Sequence, residues 1–291
     1  MKNNFSKLII ERFIKPSNIK QVYFLVDNNY IFYDLIASDI KDIGLYAYTF
    51  SLDELDKIKH LNLDTDTVMA IISLEKEYNK ISFEICKKIE ESKCKCLYFS
   101  WVDERFSSKV RTYLEKKYTQ ALLTDYSLIK KFNDLYYEKL KNSNEIYVKC
   151  KNGTNIVFHS SGIIHTETGD FIQDKVCQLP CGEVFMVPLR SSCNGIIVIE
   201  GEEINIVNDI SDFSTNSSLY KLYNGAPLCE FGVGTNPNVS NIKGLPISEK
   251  SYGTCHFGFG NNISFGGTYN YKYHFDLVIN QFEIYIDGVK F

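Results

Sequence analysis

The hydrophobic pattern of this 291-residue chain changes period near residue 143, and that change limits the fold more than any single motif. Before it, short apolar runs alternate with amphipathic ones. QVYFLVD (21–27), GLYAYTF (44–50), TVMAIISL (67–74) and CKCLYFSW (94–101) have the length and the β-branched or aromatic content of buried strands. ISFEICKKIEESK (81–93) sets Ile81, Ile85 and Ile89 on one stripe, and FSSKVRTYLEKKY (106–118) and SLIKKFNDLYYEKL (127–140) have the same helical spacing. Strands alternating with helices predict an open, mostly parallel sheet with helices packed on it, a Rossmann-like α/β domain over 1–142. No G-x-G-x-x-G follows the first strand, where VDNNYIFYD stands, so a dinucleotide site is unsupported.

After the change the chain reads as strands and turns. EIYVKCKNGTNIVFHSS carries Asn152–Gly153 between two alternating segments, the strongest short-range hairpin signal. NGIIVIEGEEINIV and FEIYIDGVKF repeat that pattern around Gly201 and Asp287–Gly288. A second, β-rich domain is therefore expected over 143–291.

Composition excludes several function classes. A net charge of −4, with lysine and arginine spread among acids, gives no basic patch for nucleic acid or anionic lipid. MKNNFSKLIIERFIKPSN lacks the apolar stretch of a signal peptide. No apolar run approaches the roughly 20 residues of a membrane-spanning helix. The expectation is a cytoplasmic protein with a peptide or small-molecule substrate, and with neither nucleic acid nor membrane as partner. Nine cysteines include Cys94-x-Cys96 and Cys177-x3-Cys181 but no second pair at zinc-site spacing, so reduced, packed thiols are expected.

The chemistry gathers in the second half. In a strand, His274 and Asp276 of YHFDLVI project to one side and Phe275 to the other. In GTCHFGFG the same arithmetic puts Thr254, His256, Gly258 and Gly260 on one face and turns Cys255, Phe257 and Phe259 to the core. Glycine leaves the histidine face bare, with room for a ligand or substrate. Glu183 in LPCGEVFMVPL and Glu230 in APLCEFGVGTNPN stand in apolar strand-like runs, where a carboxylate is expensive to bury unless paired or metal-bound. Singly, each has a plain reading as a structural histidine, a packing glycine or a strand-edge acid. Together they form an N/O set suited to zinc, cobalt, manganese or iron better than to calcium or magnesium. His60, His159, His165 and Trp101 read as ordinary surface, turn or strand-end residues. TNPN reads as a turn, although Thr235 and Asn236 could line a cleft.

LPCGEVFMVPL, LCEFGVGTNPN, EKSYGTCHFGFGNNISFGG and YHFDLVI occur in the order found in the thermophilic aminopeptidase family, the M29 metallopeptidases. LLTDYSLIKKF, IYVKCKNGTNIVF and TETGD look similar too, so the resemblance covers most of 120–280. It implies an aminopeptidase T-like fold with a metal site in the β-rich domain, and a homodimer. It also implies a hydrolase whose metal-activated water attacks the N-terminal peptide bond. The implied ligands are Glu183, Glu230, His256, His274 and Asp276, with Glu183 and Glu230 catalytic, around one or two ions of zinc, cobalt or manganese. Ile263 stands where those peptidases carry a tyrosine, seven residues after the first histidine. The chain also looks like a compact branch related to 2,5-dihydroxypyridine dioxygenases, which implies the alternative of one non-haem iron opening an aromatic ring. A third reading is a non-catalytic peptide-binding accessory protein on the same fold.

Overall fold

The computed structural model describes residues 7–15, 18–26, 31–51, 54–74, 88–89, 91–101, 108–170, 176–213, 223–239 and 247–291. Most of the helix expected over 81–93 lies outside the described residues. The chain divides into two compact units, one of α/β character with a parallel sheet and one built on a large antiparallel sheet.

The first unit comprises residues 1–124, 169–181 and 242–247. Its strands are β1 (Gln21–Val26), β2 (Tyr46–Ser51), β3 (Thr67–Leu74), β4 (Lys95–Trp101) and β7 (Val176–Leu179). They lie in the order β2-β1-β3-β4-β7 and every neighbouring pair is parallel. Parallel neighbours need crossover connections, and α1 (Ile31–Asp42), α2 (Leu55–Lys59) and α3 (Ser108–Leu122) are among the intervening segments. One apolar cluster joins Leu25, Ile58, Met69, Cys94, Cys96 and Tyr98, so the C-x-C cysteines are core residues. Cys94, Cys96, Cys150, Cys177, Cys181, Cys193, Cys229 and Cys255 form no disulfide with one another, and all but Cys150 are buried.

The second unit comprises residues 125–168, 182–241 and 248–291. It opens with α4 (Tyr126–Leu140), whose N-cap Asp125 accepts from the Ser127 amide. The strands are β5 (Glu145–Cys150), β6 (Asn155–Glu167), β8 (Glu183–Pro188), β9 (Asn194–Ile199), β10 (Glu202–Val207), β11 (Ile210–Phe213), β12 (Leu228–Gly234), β13 (Thr254–Gly260), β14 (His274–Asn280), β15 (Phe282–Ile286) and β16 (Val289–Lys290). They form one 11-stranded sheet along β11-β10-β9-β6-β8-β12-β13-β14, with β5, β15 and β16 attached through β6. All of these pairings are antiparallel. The three expected turns join β5 to β6, β9 to β10 and β15 to β16. At two of them, Glu200–Gly201 and Asp287–Gly288, both residues have positive φ, the geometry that follows the strand twist. Phe158, Val184, Met186, Phe231, Val233, Cys255, Phe257 and Phe259 pack into the core of this unit.

This division differs from a boundary at 142/143 at two elements. α4 belongs to the second unit, where its Leu140 joins the core, and β7 belongs to the first, where it is hydrogen-bonded to β4. Both are decided by long-range pairing. Among the described residues no helix is long and apolar enough to cross a membrane.

Asn133 of α4 holds the start of β8 in place. Its buried side-chain amide donates to the Glu183 carbonyl at 3.0 Å and its oxygen accepts from the Thr235 hydroxyl. Asn133→Ala removes both bonds inside the core, so it is expected to lower unfolding free energy by about 1–3 kcal/mol. The check is a urea titration in which the midpoint falls and the slope stays constant.

Candidate metal centre

Strand register assembles one polar face on β8, β12, β13 and β14. Glu183 lies opposite Gly234, His256 opposite Gly232, Glu230 and Asp276 opposite Gly258, and His274 opposite Gly260. Each polar side chain therefore meets a bare backbone across the strand boundary. A Cβ at Gly232 would overlap the His256 imidazole. One at Gly258 would lie 2.8 Å from the Glu230 Cβ, 2.8 Å from the His274 ring and 2.9 Å from the Asp276 carboxylate. The room left at Gly232 and Gly258 is occupied by the polar side chains themselves, and that at Gly234 and Gly260 by neighbouring backbone.

Glu230 reaches the face through a β-bulge. Leu228 pairs with Phe259 and Glu230 with Gly258, so two steps on β12 match one on β13. Leu228 thus stays in the core while Glu230, two residues on, turns to the histidines.

The five residues expected from the sequence meet in one cluster. His256 Nε2 lies 3.3 Å from Glu230 Oε1 and 3.6 Å from Glu183 Oε2. His274 Nε2 lies 3.3 Å from Glu230 Oε2 and 3.2 Å from Asp276 Oδ1. Ligand atoms of Glu230, His256 and Asp276 all fall within 4.8 Å of one another. His274 Nδ1 lies 2.8 Å from the Asn261 carbonyl, so Nδ1–H donates there and Nε2 is left facing the carboxylates. That back-bonding is what fixes ring and tautomer in a metal-binding histidine. Buried Glu183 Oε2 and His256 Nδ1 have no hydrogen-bond partner. An orphaned carboxylate oxygen, converging Nε2 atoms and an excess of anions all fit a divalent cation. Side-chain exposure rises from 1% at His256 to 27% at His274 and 28% at Asp276, so the cluster opens at β14.

Three further charged residues belong to the cluster. The Lys250 ammonium, 2% exposed, donates to Glu167 Oε2 at 2.6 Å and to Glu183 Oε1 at 2.5 Å. Glu167 ends β6 in register with Glu183, and Glu249 adds charge beside Lys250. Lys250 closes a 3-10 turn (Ser248–Lys250) that crosses β12 at Gly234, where any Cβ would overlap the Ser251 carbonyl. The Asn236 amide donates to the Lys250 carbonyl at 2.9 Å. Thr235 and Asn236 are completely buried and support this turn. Single-residue reading missed Lys250, Glu167 and Glu249; the available signals were EKSYG and TETGD, which carried no chemistry until the strands paired. His165, expected as an ordinary surface or turn residue, instead stacks on Phe185 at 4.9 Å and bonds the Phe265 carbonyl through Nε2 at 2.9 Å. Phe265 in turn meets the His274 ring edge-on at 5.6 Å. Ile263 is 51% exposed.

Electrostatics follow from an acid-rich, desolvated pocket. Burial lifts the carboxyls of Glu167 and Glu249 to about 7, against the opposing charge of Lys250. Burial raises Glu183 as well. Burial would also raise Glu230, but hydrogen bonds from His256 and His274 hold it well below the carboxylate range. Burial lowers His256, yet the Glu230 hydrogen bond and the nearby acids lift it to about 9.

Comparison with solved structures finds five similar chains, and two of them illustrate the likeness. One is the 2,5-dihydroxypyridine dioxygenase from Pseudomonas putida KT2440, with a TM-score of 0.69 and 14% identity, covering 100% of this chain and 95% of that one. The other is wild-type AmpT from Thermus thermophilus, with a TM-score of 0.66 and 13% identity, covering 100% and 97%. The likeness is one of fold and supports the fold relationship that the ordered motifs implied; it does not extend to family membership. No family model and no curated protein matches the sequence.

Two outcomes are expected. Gly258→Ala forces Glu230, His274 and Asp276 apart, so zinc or manganese affinity should fall about 10–100-fold while the circular dichroism spectrum is kept. In metal-free protein, Glu167, Glu249 and His256 hold protons more tightly folded than unfolded. Their stabilisation is complete below the unfolded values of 4.5 and 6.5 and disappears as pH passes about 7 for the acids and about 9 for the histidine. Glu230 acts oppositely, losing its contribution only on acidification. The melting temperature of the metal-free protein should therefore fall between about pH 5 and 9, and added zinc should reduce the fall.

Proposed function

We propose that this chain is a metal-dependent amide hydrolase of the aminopeptidase type, with Glu183 as its proton acceptor. The observation that carries this reading is the unequal setting of the two Glu183 oxygens. Oε1 is held by Lys250 at 2.5 Å, whereas Oε2 is buried, unpartnered and 3.6 Å from His256 Nε2. A fixed carboxylate with one free oxygen beside a cation-binding cluster is what a general base requires.

Glu230, His256, His274 and Asp276 would hold the ion, and their N/O donors suit zinc, cobalt or manganese. A divalent ion bound there supplies Lewis-acid polarisation of a carbonyl and brings the pKa of a bound water down to about 7. Glu183 Oε2 takes the proton as water oxygen bonds to the amide carbon, then gives it to the departing nitrogen as the C–N bond breaks. Acid and amine are the products. Burial raises the Glu183 pKa toward the range where such a group both accepts and returns a proton. Asp276 and His274, at the open side, meet an entering substrate first. The Asp276 carboxylate at that side favours a substrate with a free amino terminus. Ile263 offers no hydroxyl, so nothing at that position replaces the tyrosine of the peptidases.

A second reading has its own observation. His256, His274 and Asp276 also make a two-histidine, one-carboxylate set, which suits a single non-haem iron in a ring-cleaving enzyme. That chemistry has no need of Glu183 Oε2. Elemental analysis of protein purified without chelator separates the readings: zinc, cobalt or manganese for the hydrolase, iron for the oxygenase, and no metal for an accessory protein.

Glu183→Gln keeps the shape and removes the acceptor. On aminoacyl p-nitroanilides with zinc, cobalt or manganese added, kcat should drop about 10²–10⁴-fold with KM little changed. An undiminished kcat rejects the assignment.

A further inference from the structure

We propose that the Lys250 ammonium fills the position of a second cation, so that each chain binds one divalent ion, at Glu230, His256, His274 and Asp276. This rests on the metal-centre reading above and makes Glu183 a base rather than a ligand.

Acids enclose the Lys250 side chain. Its ammonium sits between carboxylates from two neighbouring strands, at 2.6 Å from Glu167 and 2.5 Å from Glu183, with 2% of the side chain exposed. A metal ion held by the same Glu183 oxygen would sit about 2.0–2.2 Å from it. Ammonium and ion would then crowd one oxygen, two positive centres with no water to screen them. The backbone that carries the lysine is fixed: its carbonyl accepts from the Asn236 amide at 2.9 Å, and its turn lies directly on the Gly234 backbone. Removing the lysine would leave Glu167 and Glu183 paired across the strands without the ammonium that bridges them. A lysine buried to this degree persists only when its charge is matched, and here two acids match it.

The other half of the cluster has the opposite character. Glu230, His256 and Asp276 bring their ligand atoms within 4.8 Å of one another, and their ion pairs among the described residues are with one another, His274 and Glu183. His274 Nε2 touches both Glu230 and Asp276, its ring held from behind by Asn261. One half therefore already contains its cation, and the other is built to accept one. Glu183 Oε2, the oxygen that the lysine leaves free, joins the first half to the second at 3.6 Å from His256 Nε2.

The test is stoichiometry. Chelator-stripped protein is titrated with manganese or zinc alone by calorimetry, with metal counted after dialysis, and with cobalt followed by its visible absorption. One ion per chain is expected. Two ions per chain overturn this inference and leave the hydrolase reading standing, whereas none overturns both. Lys250→Met strips the internal cation, so a second ion per chain should then bind; a count still at one overturns the stand-in role. Should that variant not fold, Glu183→Gln decides. It is expected to keep one ion with affinity within about threefold of wild type, because a base contributes little to metal affinity while loss of a ligand or its support removes at least tenfold. A tenfold or greater loss in Glu183→Gln overturns the inference.

Discussion

Glu183, Glu230, His256, His274 and Asp276 each lie across a strand boundary from a glycine, and the site's assembly on the second unit's sheet depends on that pairing. A β-sheet face is normally a close carpet of side chains, with directly opposed Cβ atoms only about 4.5–5.5 Å apart. Five polar groups cannot converge on such a face unless their opposite numbers have no side chains. Gly232 and Gly258 supply the gaps, Gly234 admits the turn that carries Lys250, and the opposite face of β12 and β13 compensates with Phe231, Phe257 and Phe259 in the core. Small and large residues alternate by face, so one strand serves as site floor and core wall together.

Charge is the second constraint. Glu167, Glu183, Glu230, Glu249 and Asp276 oppose one lysine and two histidines, in a setting where burial raises the carboxyls. Replacing buried ion pairs by apolar residues is commonly neutral or stabilising. Retention of so many acids around Lys250 is therefore a poor route to a stable sheet and a good one to a cation site. The glycines make the same point, since glycine within a strand weakens it.

Much of this site was legible because it is local. The two-residue period of a strand sets His274 and Asp276 on one side, and Cys255, Phe257 and Phe259 opposite His256, whatever the rest of the chain does. Glu230 was legible only as an acid out of place. Its aim depends on the bulge at Cys229, which requires β13 to be present before Leu228 and Glu230 can face different ways. Lys250, Glu167 and Glu249 were not legible, because a lysine flanked by polar residues in EKSYG looks solvated until its turn crosses Gly234. His165 went unread for the same reason: its partners Phe185 and Phe265 are on other elements.

By itself the sequence determined the two kinds of sheet, the hairpins at Gly153, Gly201 and Gly288, and which face of β13 and β14 each residue takes. These follow from backbone period and turn conformation, which act over a few residues. Tertiary structure alone decided that β7 pairs with β4, that α4 joins the antiparallel unit, and that Lys250 reaches Glu183. Those are contacts between segments dozens of residues apart. Hydrophobic pattern says which residues will be buried but is silent on their neighbours, because burial is non-directional and register is not.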